Sequence, residues 1–274
     1  MLIILIKRYI IMIFERVYLD EHDKDAYLDV YVADKIKDLT RKAILVIPGG
    51  GYGGVCAERE GEPIAMAFMP YGYNAFVLNY PCRKKPFPSH LIVASKAMKH
   101  IRDNAEKYNI DAQKVFAIGF SAGGHLAASL GTMWDKKEIY DEIDMPLGYN
   151  KPDGMMLIYP VLSDHYGSMQ NLFMNQTPTE EELAIGNINN YVNENSAPAF
   201  IVHTSNDEIV PVKNSIAFAD KLAEQGIKFE LHIYPDGPHG VALGNQITRC
   251  GNEKWENKSI AKWVENAVFW ANNL

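Results

Sequence analysis

Residues 115–124, with the sequence VFAIGFSAGG, decide how the rest of the chain is interpreted. The apolar run 115–118 is typical of a strand buried on both faces of a parallel sheet. The next five residues have the pattern G-x-S-x-G, and residues 126–130 predict a helix. A serine on such a tight strand-to-helix turn lies clear of the sheet and close to the first N–H groups of the helix. Ser121 is therefore a candidate nucleophile, with a helix-capping serine as the alternative.

Strands and helices alternate along most of the chain. Apolar or β-branched runs predict strands, and apolar residues three or four positions apart predict helices. The predicted strands are 16–19, 27–32, 43–47, 75–78, 115–118, 155–159, 200–204 and 229–234, and the predicted helices are 64–68, 91–108, 126–130, 216–223 and 255–270. This alternation predicts an α/β fold with a mostly parallel, doubly wound sheet, which begins with an antiparallel hairpin.

The length of 274 residues suits one large α/β domain, assigned here to residues 15–274. Residues 1–14 form an apolar N-terminal extension that is too short for a membrane helix and carries its positive charge in the middle, unlike a secretory signal. We therefore expect no membrane anchor and a cytoplasmic location. Residues 164–196 lack a strong strand and predict a lid-like insertion above the carboxyl ends of the strands.

The composition excludes several classes of protein. Lys and Arg number 27 and Asp and Glu 34, and the net charge of −7 argues against nucleic acid or an anionic membrane as the partner. The three cysteines, Cys56, Cys82 and Cys250, are widely spaced and predict free thiols. No histidine pair has helical ligand spacing, so we expect neither a metal nor a cofactor. The sequence leaves a homo-oligomer open.

A serine hydroxyl needs a neighbouring base to act as a nucleophile at neutral pH. His239 lies in the loop after the last predicted strand, and Asp207 follows the strand before it. The chain order Ser121, Asp207, His239 predicts a nucleophile, an acid that orients the base, and the base itself. Glu208 and Asp236 are rival acids, and Asp207 is preferred because it lies nearer the end of its strand.

The glycine-rich run after the strand at 43–47 predicts an oxyanion site. The backbone N–H groups of Gly50, Gly51 and Tyr52 can converge on the same point as that of Ala122, where they would stabilise a tetrahedral intermediate. A plain glycine loop is the alternative. The apolar and aromatic residues expected to line a substrate pocket are Tyr52, Tyr80, Met169 and Phe173.

From about Arg16 to its end, the chain resembles the α/β-hydrolase superfamily. The segments 48–52 (PGGGY), 119–127 (GFSAGGHLA), 207–211 (DEIVP) and 238–240 (PHG) resemble the esterase/lipase branch, and in particular bacterial acetylxylan-type carbohydrate esterases, which include proteins described as sugar hydrolases or endoxylanase-like. Relatives of the hormone-sensitive-lipase type carry His-Gly-Gly-Gly, and Pro48 replaces that histidine here. This departure favours the carbohydrate-esterase side.

The resemblance implies a serine carboxylester hydrolase with a small acyl ester, such as an acetylated sugar or xylo-oligosaccharide, as its substrate. It implies Gly50, Gly51 and Ala122 as the oxyanion donors. An amidase or peptidase and an arylformamidase use the same triad and remain alternatives. A binding protein that keeps this fold without catalysis is the alternative from another class.

Overall fold

The computed structural model describes residues 12–163 and 165–274. The expectation for the N-terminal extension therefore falls mostly outside the described residues, as does Asp164 at the start of the predicted insertion. The strands of the described chain are β1 (Ile13–Tyr18), β2 (Tyr27–Val32), β3 (Arg41–Ile47), β4 (Tyr73–Asn79), β5 (Ile110–Phe120), β6 (Met155–Ile158), β7 (Ala199–Thr204) and β8 (Phe229–Tyr234). Every predicted strand is present, and β5 is the one most extended beyond its predicted bounds.

The strands form one sheet in the order β1-β2-β4-β3-β5-β6-β7-β8. β1 pairs antiparallel with β2, and β2 antiparallel with β4, whereas every other neighbour is parallel. Ile47 lies opposite Gly119 and Phe120 opposite Ile158, so β3, β5 and β6 end at the same level. The loops that follow these strands therefore meet at one edge of the sheet, where ligands bind in open α/β folds.

Helices cover both faces of the sheet. Those of the described chain are α1 (Ala57–Glu60), α2 (Glu62–Phe68), α3 (Ser89–Asp103), α4 (Ala105–Tyr108), α5 (Ala122–Thr132), α6 (Lys137–Tyr140), α7 (Tyr166–Phe173), α8 (Glu180–Gly186), α9 (Lys213–Glu224) and α10 (Trp263–Asn272). Apolar residues of α3, α5 and α9 pack in one cluster, and those of α2 and α10 pack in a second one. The central strands β3, β4, β6 and β7 are almost wholly buried, which explains their continuous apolar sequences.

The predicted terminal helix 255–270 is wrong at its start, because α10 begins only at Trp263. The side chain of Asn257 explains the difference. Its Oδ1 accepts hydrogen bonds from the backbone N–H groups of Ser259 and Ile260, and the backbone N–H of Asn257 donates to the carbonyl oxygen of Gly244. An Asn side chain that binds nearby backbone groups competes with the hydrogen bonds of a helix. The residues before Trp263 therefore form the short turns Glu253–Trp255 and Ile260–Lys262.

The predicted insertion is helical, with α7 and α8 separated by residues 174–179. Thr179 caps α8 in a reciprocal capping box with Glu182. No helix in the described ranges is long and apolar enough to cross a membrane. Cys56 and Cys82 are half-buried, Cys250 is exposed, and all three are free thiols.

Two histidines lie in the buried layer between the sheet and α3 and α5. His90 and His125 are both at most 1% exposed and pack against the ring of Tyr52. Burial lowers the pKa of His90 to about 4, with a further contribution from His125, and burial also lowers the pKa of His125 to about 4. Both imidazoles are therefore neutral in the folded protein near neutral pH.

These two histidines predict that the protein loses stability in weak acid. The unfolded chain binds protons on them near pH 6.5, whereas the folded chain does so only near pH 4, so stability falls as the pH falls through this window. Each group contributes about 3 kcal/mol at most. We expect His90→Phe to flatten the dependence of the unfolding free energy on pH between 4 and 6.5, as measured by urea denaturation.

The exposed His22 provides the matched control, and His22→Gln should leave that dependence unchanged. An unaltered pH dependence in His90→Phe would contradict this account of the buried histidines.

Candidate active site

Ser121 occupies the turn between β5, which ends at Phe120, and α5, which begins at Ala122. Its φ of 52° and ψ of −117° are strained for a residue with a side chain. The turn also brings two backbones into contact. A Cβ on Gly119 would clash with the carbonyl oxygen of Gly123, and one on Gly123 with that of Ile47. Glycine at these two positions therefore allows the turn that presents the Ser121 hydroxyl.

Three side chains from three loops form one hydrogen-bonded line. Ser121 Oγ lies 2.8 Å from Nε2 of His239, and Nδ1 of His239 lies 2.7 Å from Oδ2 of Asp207. Because an ionised carboxylate only accepts hydrogen bonds, Nδ1 carries the proton and donates it to Asp207. Nε2 of the neutral ring is then the acceptor for the Ser121 hydroxyl. This tautomer is the one that a general base requires.

Asp207 is buried and ionised. Burial on its own would raise its pKa, but hydrogen bonds from His203 and His239 and from the backbone N–H of Val210 outweigh burial and hold the pKa of this carboxyl well below its ordinary range. The backbone N–H of Ile209 also donates to Oδ1. The carboxylate is therefore ionised and available to orient His239 near neutral pH.

The rival acids lie elsewhere. Glu208 is exposed, and Asp236 Oδ1 accepts a hydrogen bond from the side chain of Asn206. In the described part of the chain, Asp207 is the carboxylate within hydrogen-bond distance of the His239 ring. The structure thus brings Ser121, Asp207 and His239 together in one hydrogen-bonded line.

The glycine-rich loop after β3 lies next to the Ser121 turn. Gly50 and Gly51 have φ of 132° and 60°, and the loop is closed by hydrogen bonds from Gly53 N to Gly50 O and from Cys56 N to Gly49 O. In the described chain, the donors of these loop hydrogen bonds are Gly53 N and Cys56 N. The N–H groups of Gly50 and Gly51 therefore stay available to bind an oxyanion. Ala122 is the first residue of α5, so its backbone N–H has no acceptor within the helix.

The residues expected to line a substrate pocket lie mostly beneath the site. Tyr52, Tyr80 and Met169 are at most 1% exposed. The hydroxyl of Tyr80 donates to Pro48 O, and that of Tyr52 bonds Nδ1 of His125. Phe173 is half-buried against Phe87. The expectation of an open pocket is therefore wrong for Tyr52, Tyr80 and Met169, whose side chains are buried in the apolar core.

His125 connects the glycine-rich loop to the insertion. Its Nε2 donates to the carbonyl oxygen of Gly186 at the end of α8, which leaves Nδ1 to accept from the Tyr52 hydroxyl. The insertion also reaches the loop directly, since Asn171 Nδ2 donates to Gly51 O at 2.8 Å. The predicted insertion thus lies beside the site, as expected from its place in the chain.

Sequence reasoning missed three buried groups around the triad. His203 lies 3.4 Å from Oδ2 of Asp207 and donates to Val210 O. Glu60 and Tyr159 hydrogen-bond each other beneath the site. The chain order gives no signal for these contacts, because the residues lie on separate elements. Within residues 12–163 and 165–274, no group of three or more His, Cys, Asp or Glu is placed to hold a metal ion.

Comparison with protein families gives two matches. The model of the BD-FAE family matches residues 28–222, and the model of the dienelactone hydrolase family matches residues 184–267. The first of these covers well over half of the chain and includes Ser121 and Asp207. The second includes Asp207 and His239.

Two relatives with known functions are longer than this chain. Endo-1,4-beta-xylanase B of Butyrivibrio fibrisolvens is 40% identical over 222 residues, which is 76% of this chain and 34% of that protein. Acetylxylan esterase of Xylanibacter ruminicola is 30% identical over 217 residues, 74% of this chain and 42% of that protein. The chain therefore spans less than half the length of either relative.

A solved structure matches over nearly the full length of both chains. The crystal structure of an acetyl ester-xyloside bifunctional hydrolase from Caldicellulosiruptor lactoaceticus has a TM-score of 0.83 and 32% identity, and covers 96% of this chain and 97% of that one. The fold and the family resemblance inferred from the sequence are confirmed. The chain belongs to the BD-FAE family and is a carbohydrate-esterase-like member of the α/β-hydrolases.

Proposed function

We propose that the protein is a serine carboxylester hydrolase that removes short acyl groups, acetyl in particular, from a sugar or xylo-oligosaccharide. The observation that carries this proposal is the line from Ser121 Oγ through the His239 ring to Asp207, with contacts of 2.8 and 2.7 Å. The likeness to an acetylxylan esterase and to an acetyl ester-xyloside hydrolase supports the choice of substrate.

The reaction proceeds through an acyl-enzyme. Ser121 Oγ attacks the ester carbonyl carbon while its proton passes to Nε2 of His239, and Asp207 stabilises the imidazolium that forms. The N–H groups of Gly50, Gly51 and Ala122 stabilise the negative oxygen of the tetrahedral intermediate. The intermediate collapses as His239 returns the proton to the leaving alcohol. Water then attacks the acyl-enzyme by the same route and releases the acid.

Two cavities with polar side chains in their lining suit a sugar as the alcohol part of the ester. One cavity of about 530 Å³ borders His239, and its lining includes Asn206, Asp236, Lys254 and Asn257. Because His239 gives its proton to the leaving oxygen and this cavity borders His239, we assign the cavity to the alcohol part of the ester. Its amide, carboxylate and ammonium groups are donors and acceptors of the kind that bind hydroxyl groups.

The second cavity, of about 520 Å³, lies between the insertion and the region that follows β4. Its polar lining includes Arg83, Gln170, Asn171 and Gln176. Asn171, in the lining of this cavity, also donates to Gly51 O, which links the cavity to the glycine-rich loop.

The first prediction concerns the substrate. We expect the wild-type protein to release acetate from acetylated xylo-oligosaccharides and to hydrolyse p-nitrophenyl acetate faster than the butyrate and octanoate esters. Ser121→Ala should lower turnover of each substrate by about 10⁴-fold or more, because the nucleophile is lost. The measurement is acetate or p-nitrophenol release under matched conditions.

The outcomes separate the alternatives. Turnover of the p-nitrophenyl esters without acetate release from the oligosaccharides would refute the sugar assignment. Hydrolysis of amide or formanilide substrates in place of esters would support an amidase or arylformamidase. Undiminished turnover in Ser121→Ala would refute the serine mechanism.

The second prediction concerns Asp207. In Asp207→Asn, the side-chain NH2 would face Nδ1 of His239 and stabilise the tautomer that carries the proton on Nε2, which cannot accept the serine proton. We expect kcat to fall by about 10⁴-fold with little change in KM. Asp220→Asn, on the exposed face of α9, is the control and should retain wild-type kcat. A loss of less than tenfold in Asp207→Asn would count against the assigned role.

The third prediction concerns pH. Activity should rise with pH, because a histidine that acts as the general base must be neutral to accept the serine proton. The pKa of Asp207 lies well below its ordinary range, so this carboxyl should add no second step above pH 4. The plot of log kcat/KM against pH should therefore rise with a limiting slope of one. A flat profile from pH 5 to 8 would argue against a histidine base.

A further inference from the structure

Glu60 is a carboxylate buried beneath the site, and its hydrogen bonds in the described chain go to residues outside the triad. It ends α1 and is 1% exposed. Its Oε2 accepts the backbone N–H of Gly49 at 2.8 Å, and its Oε1 accepts the hydroxyl of Tyr159 at 2.9 Å and a guanidinium N–H of Arg59 at 3.3 Å. A buried carboxylate is costly unless it is paired in this way. These three hydrogen bonds compensate the burial of the Glu60 carboxylate and also fix the groups that donate them.

Gly49 begins the turn that carries Gly50 and Gly51. The hydrogen bond from the backbone N–H of Gly49 to Glu60 therefore lies one residue before Gly50, the first of the proposed oxyanion donors. Gly49 also lies close to the nucleophile turn, since a Cβ on it would be 3.0 Å from Cβ of Ser121. Glu60 thus fixes the glycine-rich loop at the point where it approaches the serine.

Tyr159 makes the corresponding connection to the loop that carries His239. Its hydroxyl accepts the backbone N–H of Ala242 at 3.0 Å while it donates to Glu60. Its ring centroid lies 5.0 Å from that of the His239 imidazole. Ala242 is held on its other side by Trp263, whose indole N–H donates to its carbonyl oxygen. Tyr159 is buried and has a φ of 38°, a strained value for a residue with a side chain.

We propose that Glu60 and Tyr159 are positioning residues that fix the glycine-rich loop and the histidine loop at one distance from each other. The proposal rests on the proposed function, in which the oxyanion donors and His239 act on the same tetrahedral intermediate. Donors and base must be held to within about 0.5 Å for that purpose. The chain from Gly49 through Glu60 and Tyr159 to Ala242 consists of three hydrogen bonds and spans both loops.

Two variants test this series of hydrogen bonds at different positions. Tyr159→Phe keeps the ring against His239 but removes the bonds to Glu60 and to Ala242. Glu60→Gln keeps one acceptor oxygen, so it can hold Gly49 while its NH2 faces Tyr159. We expect kcat for p-nitrophenyl acetate to fall about 10- to 100-fold in Tyr159→Phe and less in Glu60→Gln, with KM within about twofold of wild type.

Tyr73→Phe is the matched control. Tyr73 is buried in the same apolar cluster as Tyr159, and its hydroxyl has no hydrogen-bond partner within the described chain. Its removal should leave kcat unchanged. Thermal unfolding of every variant shows whether it is folded at the assay temperature, and Glu60→Gln provides the second reading if Tyr159→Phe is not.

The rate of Ser121 modification by a fluorophosphonate probe separates this inference from the proposed function, because it reports on the serine without an ester substrate. We expect Tyr159→Phe to react at least about tenfold more slowly than Tyr73→Phe. Equal rates and equal kcat in these two folded variants would overturn the positioning role. A wild-type protein that reacts with the probe but hydrolyses no ester would instead overturn the proposed function.

Discussion

The site depends on the tight turn at Ser121, where the backbone of α5 begins directly at the end of β5. The turn is strained at φ 52° and ψ −117°, and it forms because glycine at 119 and 123 lets three backbone segments approach closely. Strain of this kind costs about 1–3 kcal/mol and persists only where the surrounding structure enforces it. Here the enforcement comes from β3 and β6 on either side, with Ser121 N donating to the carbonyl oxygen of Ile158.

The parallel sheet turns this one constraint into a complete site. Because neighbouring strands end at the same level, their loops supply a histidine, a carboxylate and a glycine-rich backbone around one hydroxyl. The tautomer of His239 follows from Asp207, which only accepts hydrogen bonds, and Asp207 is in turn held by backbone N–H groups and by His203. Each polar group of the site is therefore oriented by the next one: Ser121 by His239, His239 by Asp207, and Asp207 by backbone N–H groups and His203.

Much of this arrangement could be predicted from the sequence, and the limits have physical causes. The strands and the order Ser121, Asp207, His239 were evident because buried strands and nucleophile turns have local sequence patterns. The start of α10 was missed because a single side chain, Asn257, competes with the helix. The burial of Tyr52 and Tyr80 and the bond between Glu60 and Tyr159 depend on contacts between elements far apart in sequence, which no local pattern reports.

Mass spectrometry of the acid-quenched protein during turnover of p-nitrophenyl acetate tests the central claim most directly. We expect an acetyl group on the peptide that carries Ser121, present during turnover and absent after the substrate is exhausted. An acetyl group found on a different residue, or undiminished ester hydrolysis in Ser121→Ala, would contradict the claim that Ser121 is the nucleophile.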